Sequence, residues 1–343
     1  MDGCAIFWKS SKFNLTENYS IEFNSCAFRY AAQHCHDDIE KSKMVNRLSK
    51  DNVAQILLFE PTINTLMMNN NNPSAARLRP SQYSFCVVNT HLYSNPKLGD
   101  VKLWQTWTLM RELEAFLSTR DLALFLCGDF NSEPTSLVYS LVASGKINPE
   151  HPDLKLVEGA GTLTDPKAIC HSLQVVSAMA TAFGAEPVFT NYTLGFKGTL
   201  DYMWLSPART RVLAAMSVPS ESTLLSTGEA LPNAAFPSDH LYLCCDVLVL
   251  PVGYPAANGS DGVSVTGSNG NGNTSNGRGP NNSAVGGGSG KVYPSNQQGG
   301  GSTMSSPATG SVNGGGGIGV SSSGGSGKGS GKAIPRQHSQ PGR

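Results

Sequence analysis

Glycine is distributed so unevenly along this chain that it decides where a core can form. Of the 37 glycines, 27 lie in residues 253–343, where Ser and Asn fill most of the remaining positions. Such a stretch has too few apolar side chains to offset backbone ordering, which costs about 1–2 kcal/mol per residue. Residues 1–252 are therefore expected to fold and residues 253–343 to form a disordered tail. The formal net charge of zero hides an asymmetry. The tail carries six Lys and Arg against one Asp, which leaves residues 1–252 at about −5. No basic phosphate-binding face is evident, so a nucleic-acid ligand would require bound cations to share the neutralisation.

The eight cysteines show no paired spacing, and most sit in apolar runs, the pattern of buried free thiols in a reducing compartment. No apolar stretch approaches the roughly 18–20 residues of a membrane span, and cytosol or nucleus is the expected location. The cluster His34-Cys35-His36 lacks a fourth ligand at zinc spacing and reads as a polar loop. Gly3–Lys9, Tyr19–Phe28, Asn52–Phe59 and Tyr83–Thr90 read as strands, with Met68–Pro80 as a polar insert. Val101, Trp104, Trp107, Thr108, Leu113, Phe116 and Leu117 recur near a 3.6-residue period and predict a helix over Asp100–Thr119, with Asp100 as N-cap. The apolar run Leu122–Cys127 is a buried strand, Ser136–Ser144 a helix, and further strands fall near Val188–Tyr192, Thr199–Ser206, Arg211–Val218 and Leu241–Leu250. Together they predict an α/β (α+β) fold of two packed sheets flanked by helices.

Four short motifs place Asp, Asn or His at the edge of a predicted strand: Asn89-Thr90-His91, Gly128-Asp129-Phe130-Asn131, Gly198-Thr199-Leu200-Asp201-Tyr202 and Ser238-Asp239-His240. Singly, an Asp after a strand is more often a turn or cap residue than a catalyst, and a lone His is more often structural. Hydrolysis of a phosphodiester needs an activated water, a stabilised leaving alkoxide and compensation of charge on the phosphoryl oxygens, and an oxygen-ligated cation serves all three. Asp129 and Asn131 offer one anionic and one neutral oxygen two residues apart, on one side of an extended segment.

In this order the four motifs resemble the endonuclease/exonuclease/phosphatase superfamily. The Ccr4-type poly(A) deadenylase branch is the most similar, through Met1–Lys12, Lys50–Glu60, Val88–Pro96, Asp100–Gln105, Cys127–Pro134, Gly145–Leu154 and Thr190–Tyr202. The resemblance implies a four-layer α/β/β/α sandwich, of which this chain would carry the C-terminal portion. It implies Mg²⁺ as cofactor, one or two ions with Mn²⁺ able to substitute, held by Asp129, Asn131 and Asp239. It implies His240 and His91 as phosphate-contacting imidazoles, Asp201 as the carboxylate behind His240, and Asn191, Phe196 and Pro96 around an adenine. A carboxylate behind an imidazole fixes its tautomer and favours its protonated form. Stacking on Phe196 would tolerate any base, so adenine selectivity would rest on Asn191.

The implied activity is 3′→5′ removal of poly(A) from single-stranded RNA, releasing 5′-AMP, with Ccr4–Not subunits as partners. Angel-like, 2′,5′-phosphodiesterase-like and nocturnin-like phosphohydrolases are the alternatives within the superfamily, and a non-catalytic RNA-binding or scaffolding remnant is the alternative outside enzymes. The superfamily's metal-binding Glu, in a Leu-Gln-Glu motif before the Asp2-Gly3-Cys4-Ala5 segment, is not found in this sequence. Glu60 ends a strand but matches a different family segment. As written, the chain is expected to bind Mg²⁺ weakly and not to deadenylate.

Overall fold

A computed structural model describes residues 3–68, 79–155, 161, 163 and 168–254. They belong to one unit, Met1–Asn271. The Gly-rich tail beyond Tyr254 and most of the 68–80 insert lie outside the described residues. In chain order the elements are β1 (Phe13–Glu22), α1 (Phe23–His34), α2 (Asp38–Leu48), β2 (Val53–Pro61), α3 (Ile63–Met68), β3 (Phe85–His91), α4 (Gly99–Leu117), β4 (Ala123–Asp129) and α5 (Leu137–Ser144). They continue with β5 (Val176–Ser177), α6 (Ala178–Phe183), β6 (Asn191–Tyr192), β7 (Lys197–Gly198), β8 (Asp201–Leu205), β9 (Thr210–Met216), α7 (Glu221–Leu225) and β10 (Cys244–Val249).

The strands build a six-stranded sheet in the order β1-β2-β3-β4-β8-β5, in which only β3 and β4 are parallel. A parallel pair needs a crossover, and α4 supplies it. Along β3 and β4, Cys86, Val88, Leu124 and Leu126 point to one face and are fully or almost fully buried. They meet Phe23 and Tyr30 from α1, Trp104 and Leu109 from α4, and Leu141 from α5 in the main core. Each such side chain contributes about 1.5–3 kcal/mol by leaving water, which is why these helices stay on the sheet.

The opposite face carries Phe85, Val87, Asn89 and His91 from β3, Phe125, Cys127 and Asp129 from β4, and Asp201 and Met203 from β8, all half-buried. The mixed α/β expectation is met. Among the described residues, the sheets beside the six-stranded one are the two-stranded β9–β10 ribbon and the short β6–β7 hairpin. Val247 to Leu250 of the ribbon border a cavity of about 450 Å³ against Phe13, Pro61 and Phe85.

Two expected strands differ. Gly3–Lys9 joins no strand ladder among the described residues and lies on the half-covered face. There Asn89 Nδ2 donates to Ala5 O at 3.1 Å and Trp8 packs edge-on to Phe59 with centroids 5.1 Å apart. Tyr19–Phe28 divides at Phe23, because Tyr19, Ile21 and Phe23 follow a period of two whereas Phe23, Cys26, Ala27, Tyr30 and Ala31 follow the helical spacing and are the buried positions of α1. Asp100 is not the N-cap of α4. It is buried in the first turn and bound by the Arg47 guanidinium at 2.9 and 3.0 Å. None of the eight cysteines is in a disulfide, but only Cys26 and Cys86 are buried, and Cys170 and Cys244 are exposed. Among the described residues no helix is long and apolar enough to cross a membrane.

Candidate active site at the end of the parallel strands

Strand register brings the site together. His91 pairs with Asp129 across β3 and β4, and Asp129 pairs with Asp201 across β4 and β8, so the three stand abreast in one row on the half-covered face. The strands can approach here because position 128 is glycine: a Cβ there would lie 2.0 Å from Thr90 O, and φ is +148°. Asn131 then takes a left-handed conformation, φ 47°, which Asn tolerates better than most residues. Its Nδ2 donates to Leu92 O at 2.8 Å, and its backbone N–H donates to Asp129 Oδ1 at 2.7 Å.

His240 enters from the loop after α7. Leu241 N–H donates to Thr190 O, and Tyr192 N–H donates to Asp239 O, which pins this loop beside β6. His240 Nδ1 lies 2.7 Å from Asp201 Oδ2, so the ring donates from Nδ1 and turns Nε2 toward Asp129 Oδ2 at 3.8 Å. The same Asp201 oxygen accepts from Thr190 Oγ1 at 2.6 Å. The hydrogen bond to Asp201 raises the His240 pKa to about 8, against the opposing effect of burial. An imidazolium is thus the resting form at neutral pH.

Burial, and next the Asp201 carboxylate, push Asp129 up to about 6; the Asn131 N–H, His240 and His91 act in the opposite sense. His91 Nε2 is 3.4 Å from Asp129 Oδ2. A carboxylate disfavoured by burial and by a second carboxylate is a site that a cation relieves. Ligand atoms of Asp129, Asp201 and His240 all lie within 4.8 Å of one another, close enough to hold a metal ion. Asp239 stands apart from that group. It is exposed and accepts from Asn191 Nδ2 at 3.5 Å.

Beside the row lies a cavity of about 270 Å³ lined by Pro96, Lys102, Asn131, Glu133 and Phe196, among others. Pro96 and Phe196 therefore line one pocket, and Asn131, which borders it, links it to Asp129. Asn191 does not line it; this side chain is 5% exposed and faces Asp239. Glu60 is at the far end of β2, where it accepts from Ser84 Oγ at 3.2 Å.

Four residues that shape the site carry no motif. Lys102, 8% exposed, donates from Nζ to Asn131 O at 2.6 Å and so holds the Asp129–Asn131 turn; burial lowers its pKa, against Asp129 and Glu133. Gln105 is fully buried. Its Oε1 accepts from Tyr93 N–H and its Nε2 donates to Asn52 Oδ1, both at 3.0 Å, while Asn52 Nδ2 donates to His91 O at 2.9 Å. Thr190 and Glu133 complete the set. The signal for Lys102 and Gln105 was present in the sequence as two polar residues among the apolar positions of the α4 period; Thr190 and Glu133 lie within two of the segments that resemble the family, but no strand-end motif singles them out.

A family profile described as the Endonuclease/Exonuclease/phosphatase family matches residues 1–240. The chain is 34% identical over 273 residues to Carbon catabolite repressor protein 4 homolog 1 of Arabidopsis thaliana, which spans 73% of this chain and 43% of that protein. It is 34% identical over 275 residues to the CCR4-Not complex 3′-5′-exoribonuclease subunit Ccr4 of Aspergillus niger, spanning 73% of this chain and 38% of that protein. The chain thus covers less than half the length of either relative. Among solved structures it is similar to ANGEL2, a 2′,3′-cyclic phosphatase in complex with adenosine-2′,3′-vanadate, with a TM-score of 0.50, 26% identity, and coverage of 71% of this chain and 69% of that one. The profile covers well over half of the chain and both relatives are more than 30% identical to it: this chain belongs to the endonuclease/exonuclease/phosphatase family.

Proposed function

We propose that this site is the catalytic centre of a 3′→5′ exoribonuclease that removes adenylates from the poly(A) tail of mRNA and releases 5′-AMP. The observation that carries the reading is the His240–Asp201 pair facing Asp129 across the row. His240, kept protonated by Asp201 and aimed by Thr190, donates to a phosphate oxygen, and His91 approaches from the opposite side of Asp129. Asp129 and Asn131 would hold Mg²⁺, or Mn²⁺ in its place, with Asp239 available to a second ion. When bound, the cation supplies Lewis-acid stabilisation of the phosphoryl oxygens and a more acidic water. Pro96 and Phe196 clasp the terminal base.

The naming of relatives as CCR4-Not subunits supports an assembly of that kind, in cytosol or nucleus. The likeness to ANGEL2 favours a second reading, hydrolysis of a 2′,3′-cyclic phosphate end.

A segment exchange tests both. Residues 3–254, placed in the matching part of the Arabidopsis relative, are expected to give Mg²⁺-dependent 3′ shortening of a labelled oligo(A) that His240→Ala abolishes. A folded exchange protein that leaves oligo(A) intact but opens a 2′,3′-cyclic end would replace the first reading by the second.

A further inference from the structure

The pocket between Pro96 and Phe196 is bordered by three charged side chains, Lys102, Glu133 and Asp153, and of its two carboxylates Glu133 is the one that the structure brings against the Phe196 ring. Glu133 sits on the turn before α5, where its own carbonyl accepts from Ser136 N–H at 2.9 Å, so the backbone that bears it is fixed. Its carboxylate reaches toward β7. A Cβ built on Gly198 would lie 2.8 Å from Glu133 Oε1 and 2.7 Å from Phe196 Cζ, so the carboxylate oxygen and the tip of the aromatic ring converge on the space that a side chain at 198 would fill. Among the described residues no donor is hydrogen-bonded to this carboxylate, and the nearby Lys102 ammonium is engaged with Asn131 O. Aromatic ring, prolyl ring and free carboxylate therefore border one cavity of about 270 Å³.

An ionised carboxylate only accepts hydrogen bonds. A flat base stacked on Phe196 and Pro96 turns its edge toward Glu133. Adenine and cytosine carry an exocyclic amine that can donate there, whereas at the same ring position uracil presents O4, which a carboxylate repels, and keeps only its neighbouring N3–H as a donor. Stacking alone tolerates every base, so discrimination must come from such an edge contact. We propose that Glu133 is a specificity-determining residue of this pocket, accepting from the exocyclic amine of the stacked base and selecting adenine or cytosine over uracil. The inference rests on the reading of the pocket as a nucleotide site.

Binding without turnover separates the two. Hexamers of A, C and U would be titrated onto the full chain with Ca²⁺ in place of Mg²⁺, so that a cation shares the phosphate neutralisation, followed by fluorescence anisotropy. The unmodified chain is expected to bind the A and C hexamers about tenfold more tightly than the U hexamer. Glu133→Ala and Glu133→Gln should bring all three within about threefold, chiefly by strengthening U, while Phe196→Ala weakens all three alike. The ratio is the readout, because removing a negative charge raises the affinity of any polyanion. An A-to-U ratio that survives both Glu133 substitutions overturns the assignment and leaves the nucleotide pocket standing. No binding by the unmodified chain, or equal binding of all three hexamers, overturns the pocket reading together with it.

Discussion

One oxygen, Asp201 Oδ2, takes both the Thr190 hydroxyl and the His240 ring, and that sharing sets the charge of the site. Its consequence for stability has a definite sign. The His240 pKa is raised from 6.5 to about 8, so its stabilising contribution is complete below pH 6.5 and is lost as the pH rises through 8. Asp129, raised from 3.8 to about 6, acts in the same sense, since ionising it in the folded state becomes progressively more costly from about pH 4 to 6. In EDTA-containing buffer, urea midpoints should therefore fall between pH 6.5 and 8.5, and His240→Gln should remove most of that fall. A variant with the same pH slope as the parent would show that the Asp201–His240 bond does not hold the proton. Asp201 and His240 were legible in the sequence because each lies in a short motif at a strand end. Thr190 was not, because a Thr before a short strand has the composition of any β-rich segment. The position of Asn191 was also illegible: whether an amide faces a pocket or a neighbouring carboxylate is settled by a loop 48 residues further on.

At the scale of elements, α4 does more than cross from β3 to β4. Its first two turns are buried nearly all round, and the polar residues there satisfy the backbone of the loops that carry the site: Lys102 binds the turn at Asn131, and Gln105 ties Tyr93 and Asn52 to the end of β3. Gln105→Leu, close in volume, would leave the Tyr93 N–H and the Asn52 amide without their partner at about 1–3 kcal/mol each. The variant should lose about 2–5 kcal/mol in urea unfolding, and amide exchange at Leu92 and Tyr93 should accelerate. Exchange rates equal to the parent's would mean that the loop is held elsewhere. The helix itself was legible within two residues at either end from its apolar period. The helix α1 was not, since the alternation running into Phe23 continues the strand pattern until Cys26 breaks it. That Gly3–Lys9 joins no ladder was hidden too, because strand composition records a tendency to lie on a sheet and says nothing about which backbone a ladder pairs.

At the scale of the whole molecule, the buried apolar residues among the described ones run from Ile21 to Leu250. The Gly-, Ser- and Asn-rich composition of residues 255–343 predicts that a chain ending at Tyr254 melts within about 1 °C of the full chain by circular dichroism. A drop of several degrees would place part of the tail in the fold. The mixed α/β class followed from strand and helix patterns alone, whereas the distribution of strands into one broad sheet and a two-stranded ribbon depends on pairings between distant segments, which local periodicity does not encode. The row of His91, Asp129 and Asp201 also limits how this chain can change length. Side chains on a strand alternate by parity, so inserting or deleting one residue between Ala123 and Cys127 would exchange odd positions for even ones. Asp129 would then turn into the layer held by Trp104 and Leu141, and an apolar side chain would take its place in the row. Length drift should therefore be confined to connections such as residues 68–80, while the strands leading to the row keep their residue count as strictly as the side chains that stand in it.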